Sequence, residues 1–184
     1  MSLKNQTIDP DLFEVILVKN FKDESIEKFL EDSGFRSINA NDGPIGLYMS
    51  IGVNEAKGEI IVFLDDDDLF SDNKLERIYS IYSELKFDYY RNEIITFNDL
   101  SRIKNSGIII NGPVIIREDI PVKRKLKLIR KTLCSISSSS TVVSKQFLIK
   151  WLFDAKEIRI AFDSYLYYLA LFDKEHEGPG TFDK

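Results

Sequence analysis

The sequence predicts an α/β fold, with a central, mostly parallel sheet flanked by helices. Along the first 85 residues, stretches with helical spacing alternate with short apolar runs. Those runs are apolar throughout rather than at every second residue, as in parallel strands covered on both faces. A third observation bears on function: four consecutive carboxylates, Asp65–Asp68, directly follow one of the runs. In open α/β sheets, ligands bind at the carboxyl ends of the strands.

Phe13–Val18 (FEVILV) reads as a buried strand between the turn signal Asp9-Pro10-Asp11 and Lys19-Asn20. Asp23–Asp32 carries Ile26, Phe29 and Leu30 at helical spacing, and Gly34 suits the C-terminal cap. Phe35–Asn39 is a second short strand. Asn41-Asp42-Gly43-Pro44 reads as a helix start with Pro44 in the first turn. Ile45, Tyr48, Met49, Val53 and Ala56 form that helix's apolar stripe, and Lys57-Gly58-Glu59 ends it. Ile60–Leu64 is the strand that leads into the aspartates.

Ser71–Leu85 is helical, with Leu75, Ile78, Tyr79 and Tyr82 on one face and Ser71 or Asp72 as cap. From Lys86 to Pro121 the pattern loosens, leaving short β-like runs at Glu93–Phe97 and Gly107–Asn111. Lys123–Leu133 reads as a compact basic helix. Ile136–Val143 (ISSSSTVV) is serine-rich like a linker, but its β-branched end argues for a strand with small side chains. Gln146–Leu152 and Phe162–Phe172 are predicted helices, and 175–184 is a frayed tail.

A chain of 184 residues suits one domain with a real core. The net charge of −5 argues against a general nucleic-acid binder. The single cysteine, Cys134, can form no internal disulfide, which fits a reducing, cytoplasmic compartment. The start, MSLKNQTIDP, has no apolar signal-peptide core, and no apolar run is long enough to span a bilayer.

Four adjacent carboxylates repel one another, and apolar neighbours penalise their charge further. A solvated loop is the plain reading. A hard divalent cation is the functional one, because Mg²⁺ and Mn²⁺ take oxygen ligands, commonly one or two carboxylates plus substrate phosphates. A cation would turn the mutual repulsion into a diphosphate-binding site.

The segment GEIIVFLDDDDLFSDNKLE, Gly58–Glu76, resembles the part of family 2 glycosyltransferases that carries the Asp-x-Asp motif. Asn5–Val18 is similar to the lead into their second strand, and Asn41, Gly46 and Gly52–Glu59 to the helix before the metal strand. Trp151–Leu171 resembles the later Phe-Asp at which a helix opens. The stretch between about Lys86 and Leu133 matches nothing in the family pattern.

This resemblance implies a Rossmann-like GT-A fold over a single 1–184 domain, with a donor and metal part at 1–85 and an acceptor side at 86–174. It implies transfer of a sugar from a nucleotide-diphosphate sugar to a saccharide or lipid-linked acceptor hydroxyl, with inversion and with Mg²⁺ or Mn²⁺ as cofactor. Asp67 would be the direct metal ligand. Asp65 would lie near the donor ribose or the metal. Asp163 would be the general base that takes the acceptor's proton; its plain alternative is a helix N-cap.

The family pattern begins with a strand and a helix before Asn5, so the resemblance implies an N-terminally truncated fold. Such a fold should expose an apolar sheet edge and self-associate. Lys19-Asn20 stands where the second strand commonly ends in an acidic pair, and Met49-Ser50 where Arg and Asn are frequent.

The basic 123–133 segment is either a solvated face or a peripheral membrane contact. His176 could add a late metal ligand. Tyr165, Tyr167 and Tyr168 could line an acceptor site, with helix packing as the plainer use. Two rival functions stand beside the transferase. One is a haloacid-dehalogenase-type phosphatase with the first Asp as nucleophile. The other is a transferase-like scaffold that has lost donor binding.

Overall fold

The computed structural model describes residues 2–92 and 137–172, together with Ile94, Pro121, Lys123, Arg124 and Lys127. The Asp9-Pro10-Asp11 signal forms a 3-10 turn, Pro10–Leu12, closed by the Asp11 N–H donating to Asp9 Oδ1 at 3.0 Å. Strand β1 (Ile16–Lys19) follows. Helix α1 (Glu24–Asp32) starts at Asp23, whose carboxylate accepts the N–H groups of Ser25 and Ile26 and satisfies two orphan donors of the first turn. Gly34, at φ +70°, adopts the left-handed conformation that ends α1. Strand β2 (Arg36–Asn39) then pairs with β1 in parallel, from Ile16 beside Arg36 to Lys19 beside Asn39.

Helix α2 (Ile45–Glu55) begins one residue after Pro44, which sits at the cap without a side-chain bond rather than inside the first turn. Gly46 is required here. A Cβ at that position would lie 1.8 Å from the carbonyl oxygen of Ala155, and the Gly46 N–H donates to the Ile158 carbonyl at 2.9 Å. This close approach seats α2 against helix α4 (Lys145–Ala155).

Strands β3 (Ile60–Val62), β4 (Tyr89–Arg91) and β5 (Thr141–Ser144) form a second sheet in the order β3-β5-β4, both pairs antiparallel. The parallel order expected of the strands is therefore seen in β1–β2, whereas the strand leading to the aspartates pairs antiparallel with β5. β5 is the centre, and its four residues are buried. Side chains alternate along a strand, so Val142 and Val143 face opposite sides of the sheet. Val143 joins a core of Val53, Phe63, Phe147, Leu148, Phe162 and Leu166, which packs α2, α4 and helix α5 (Phe162–Phe172) on one face. Val142 joins Ile8, Phe70, Leu75, Ile78 and Phe87, which packs helix α3 (Lys74–Leu85) and the N-terminal segment on the other. Each such fully buried valine contributes roughly 1.5–3 kcal/mol.

Hydrogen bonding in each strand alternates in direction. The carbonyls of Val15 and Lys19 accept from Arg36 and Ala40, so the backbone groups of Ile16 and Val18 face away from β2. Glu59 and Phe63 bond to Lys145 and Thr141, so those of Ile60 and Val62 face away from β5. Among the described residues, nothing pairs with these two outward edges.

The cap expected at Ser71 or Asp72 falls instead at Asn73, without a side-chain bond. The serines expected to be strand form a 3-10 turn, Ser138–Ser140, and the strand starts only at Thr141. The β-like runs 93–97 and 107–111, Cys134, His176 and the tail lie outside the described residues, apart from Ile94. Of the basic segment, Lys123, Arg124 and Lys127 are described; they are helical and exposed.

Candidate active site

Beyond β3, the buried Phe63 and then Leu64 carry the chain to Asp65–Asp68, a turn closed by the Asp68 N–H donating to the Asp65 carbonyl at 3.3 Å. The corner residues Asp66 and Asp67 are exposed, while Asp65 and Asp68 are half-buried. Burial raises the Asp65 carboxyl above its ordinary 3.8. A hydrogen bond from Ser138 opposes the rise, and the charges of Asp68, Asp67 and Asp163 add to it.

The serine turn packs directly against these aspartates. Ser139 Oγ accepts the Asp65 N–H at 2.8 Å, and Ser137 Oγ donates to Asp68 Oδ2 at 3.4 Å. Lys74, the first residue of α3, donates from Nζ to the Ser139 carbonyl and stands 3.9 Å over the Phe70 ring. Burial lowers its ammonium to about 8 from 10.5, with Asp68 opposing the shift.

Asp163 lies across the site, one residue inside α5. It is not the N-cap, because the helix has already begun at Phe162. The Asp163 Oδ1 accepts the adjacent Ser164 N–H at 2.8 Å in the first turn of the helix. Ala161, at φ +54°, turns the chain sharply into the helix. Tyr89, on β4, feels the charge of Asp163. Burial pushes its phenol up to about 12; Thr141 and Arg91 oppose this, and Tyr167 and Asp163 reinforce it. Arg91 donates from Nε to Ser140 Oγ at 3.3 Å and lies 5.9 Å over the Tyr167 ring.

Of the residues singled out in the sequence, Asp67 and Asp163 both act electrostatically on Asp65. Lys74, Tyr89, Arg91 and the serine turn join them without having been singled out. Four hydroxyl side chains in series before a β-branched run were the available signal for the turn. Lys19 is fully engaged elsewhere. Its buried Nζ donates to the Phe21 carbonyl and Asn39 Oδ1, both at 2.8 Å, and pairs with Glu27, which uses all three of its protons. It closes the carboxyl end of β1–β2 rather than facing a ligand.

Among the described residues, no three His, Cys, Asp or Glu side chains form a group that could hold a metal ion by themselves. The chemistry of the donor set nonetheless suits a hard cation that takes one or two carboxylates and completes its shell with phosphate and water. Asp65 and Asp67 are the residues that would hold it.

The molecule's structural likenesses define the fold. A crystal structure of residues 1–349 of Staphylococcus aureus TarS in complex with UDP superposes with a TM-score of 0.64 at 18% identity, over 93% of this chain and 49% of that one. The same protein in complex with UDP-GlcNAc gives 0.58 at 16% identity, over 81% and 41%. This is the Rossmann-like GT-A fold. Residues 1–150 match the family described as Glycosyl transferase family 2, and the chain belongs to that family. The poly(ribitol-phosphate) β-N-acetylglucosaminyltransferase TarP of S. aureus is 24% identical over 190 residues, 95% of this chain and 58% of that protein. An uncharacterized glycosyltransferase of Rickettsia bellii is 32% identical over 111 residues, 58% of this chain and 15% of that protein. The chain therefore spans about half the length of TarP and of the TarS fragment.

Proposed function

We propose that this chain carries the donor-binding and catalytic part of an inverting, metal-dependent glycosyltransferase. The donor is a nucleotide-diphosphate sugar, and the ligands of the TarS structures favour a uridine diphosphate sugar. The single observation that carries the reading is that Asp163, remote in sequence, acts electrostatically on Asp65 of the aspartate turn, in a member of a glycosyl transferase family.

In this reading Asp163 accepts the proton of the acceptor hydroxyl as that oxygen attacks the anomeric carbon from the side opposite the diphosphate. A new carbon–oxygen bond forms, the bond to the diphosphate oxygen breaks, and the nucleoside diphosphate leaves. Asp65 and Asp67 would hold Mg²⁺ or Mn²⁺, which would supply neutralisation of charge on the diphosphate leaving group. The exposed Lys123, Arg124 and Lys127 support a contact with an anionic membrane surface or a lipid-linked acceptor. Among the described residues, no helix is long and apolar enough to cross a membrane.

Titration calorimetry with Mn²⁺ and UDP, paired with an assay of UDP release from UDP-sugars, tests the proposal. Asp67→Asn should lose metal-dependent UDP binding. Asp163→Asn should keep that binding while turnover falls by about 10²–10⁴-fold. A chain that binds neither metal nor nucleotide would instead be a scaffold, and the catalytic reading would be abandoned.

A further inference from the structure

Lys74 opens α3 shortly after the aspartates, and three observations tie it to them. Its ammonium donates to the carbonyl of Ser139, whose hydroxyl in turn accepts the Asp65 N–H at 2.8 Å. It also stands 3.9 Å over the ring of Phe70, two residues beyond the cluster. Asp68 acts on it electrostatically and is itself held by Ser137 at 3.4 Å. One cation, one ring and one serine turn therefore brace both ends of a four-carboxylate turn and leave its corner exposed.

A lysine needed only as an apolar spacer would have no use for its charge in a half-buried position. Here burial drives its ammonium down to about 8, so the surroundings oppose the charge while Asp68 favours it. The turn it braces carries four negative groups that must stay close together before any cation arrives.

We propose that Lys74 is a positioning residue of the aspartate turn: through Ser139 it fixes Asp65, and as a built-in counter-charge it holds the turn ready for a divalent ion and a diphosphate. The inference rests on the reading of Asp65 and Asp67 as the ion-binding pair. Residues that orient ligands in this indirect way commonly change metal affinity by about 10–100-fold when removed. Lys74 and Ser139 act along one path, so their effects should not add.

The test is calorimetric titration of Mn²⁺ with UDP into the full 184-residue chain and its variants, with folding followed by circular dichroism. Lys74→Met and Ser139→Ala are each expected to weaken the ternary complex by about tenfold or more. The double variant should be no weaker than the worse single one, and Lys74→Arg should recover most of the affinity. Wild-type affinity in Lys74→Met, or losses that simply add in the double variant, would overturn the inference. Should Lys74→Met fail to fold, Ser139→Ala and Lys74→Arg decide, the first by losing affinity and the second by retaining it. Asp65→Asn separates the two levels. If it binds manganese and UDP like the wild type, the ion-site reading itself fails. If it loses binding while Lys74→Met does not, only the role of Lys74 fails.

Discussion

Asp65 answers to two opposing demands. Its position at the end of β3 buries it, and its neighbours Asp68, Asp67 and Asp163 share its charge, so ionisation is penalised in the folded chain. A carboxyl whose folded pKa lies above the unfolded 3.8 favours folding below that value. It loses that contribution as pH climbs through the folded pKa. Asp65→Asn should therefore raise the metal-free melting temperature at pH 7, with the gain shrinking as pH is lowered toward 3.8, as read by scanning calorimetry. The same substitution should remove the stabilisation that added Mn²⁺ and UDP give the wild type. Together these results would mark a residue kept for its ligand at the expense of the empty protein. The carboxylate pattern was legible in the sequence because like charges packed after an apolar strand call for an explanation. Tyr89 and Arg91 were not, because neither residue type nor spacing announces a side chain that reaches the site across a sheet.

Elements differed in how clearly they announced themselves. Phe162–Phe172 coincides with its sequence reading because its apolar residues alone span the helix and Asp163 marks the first turn. β4 escaped notice: three residues long, it exists through its pairing with the remote β5, and no local periodicity encodes such a partner. The serine run misled for a related reason. Its hydroxyls bond backbone groups within the run itself, which favours a tight turn over a ladder. Ser140 Oγ, for example, donates to the Ser137 carbonyl at 2.8 Å. The Gly46 contact between α2 and α4 was equally hidden, because a glycine in a helical pattern does not say which backbone it must approach. Gly46→Ala should destabilise the fold by about 3 kcal/mol, at the upper end for overpacking, since the clashing atom is a backbone oxygen rather than a yielding side chain. Urea unfolding at constant slope measures that loss.

Across the whole molecule, the α/β class followed from alternating patterns, while the split into a parallel pair and an antiparallel trio depended on long-range partners. The site gathers β3's exit, the start of α3, the serine turn and the start of α5 around the buried β5. The proposed ligand capture would therefore depend on segments from both ends of the chain being folded at once. The two outward strand edges leave a separate trace. In deuterium exchange, the amides of Leu17 and Ile61, locked to neighbouring strands, should label slowly. Those of Ile16, Val18, Ile60 and Val62 should take up label quickly although they belong to the same strands. Uniform slow labelling along both strands would instead reveal that another stretch of polypeptide had come to lie beside them.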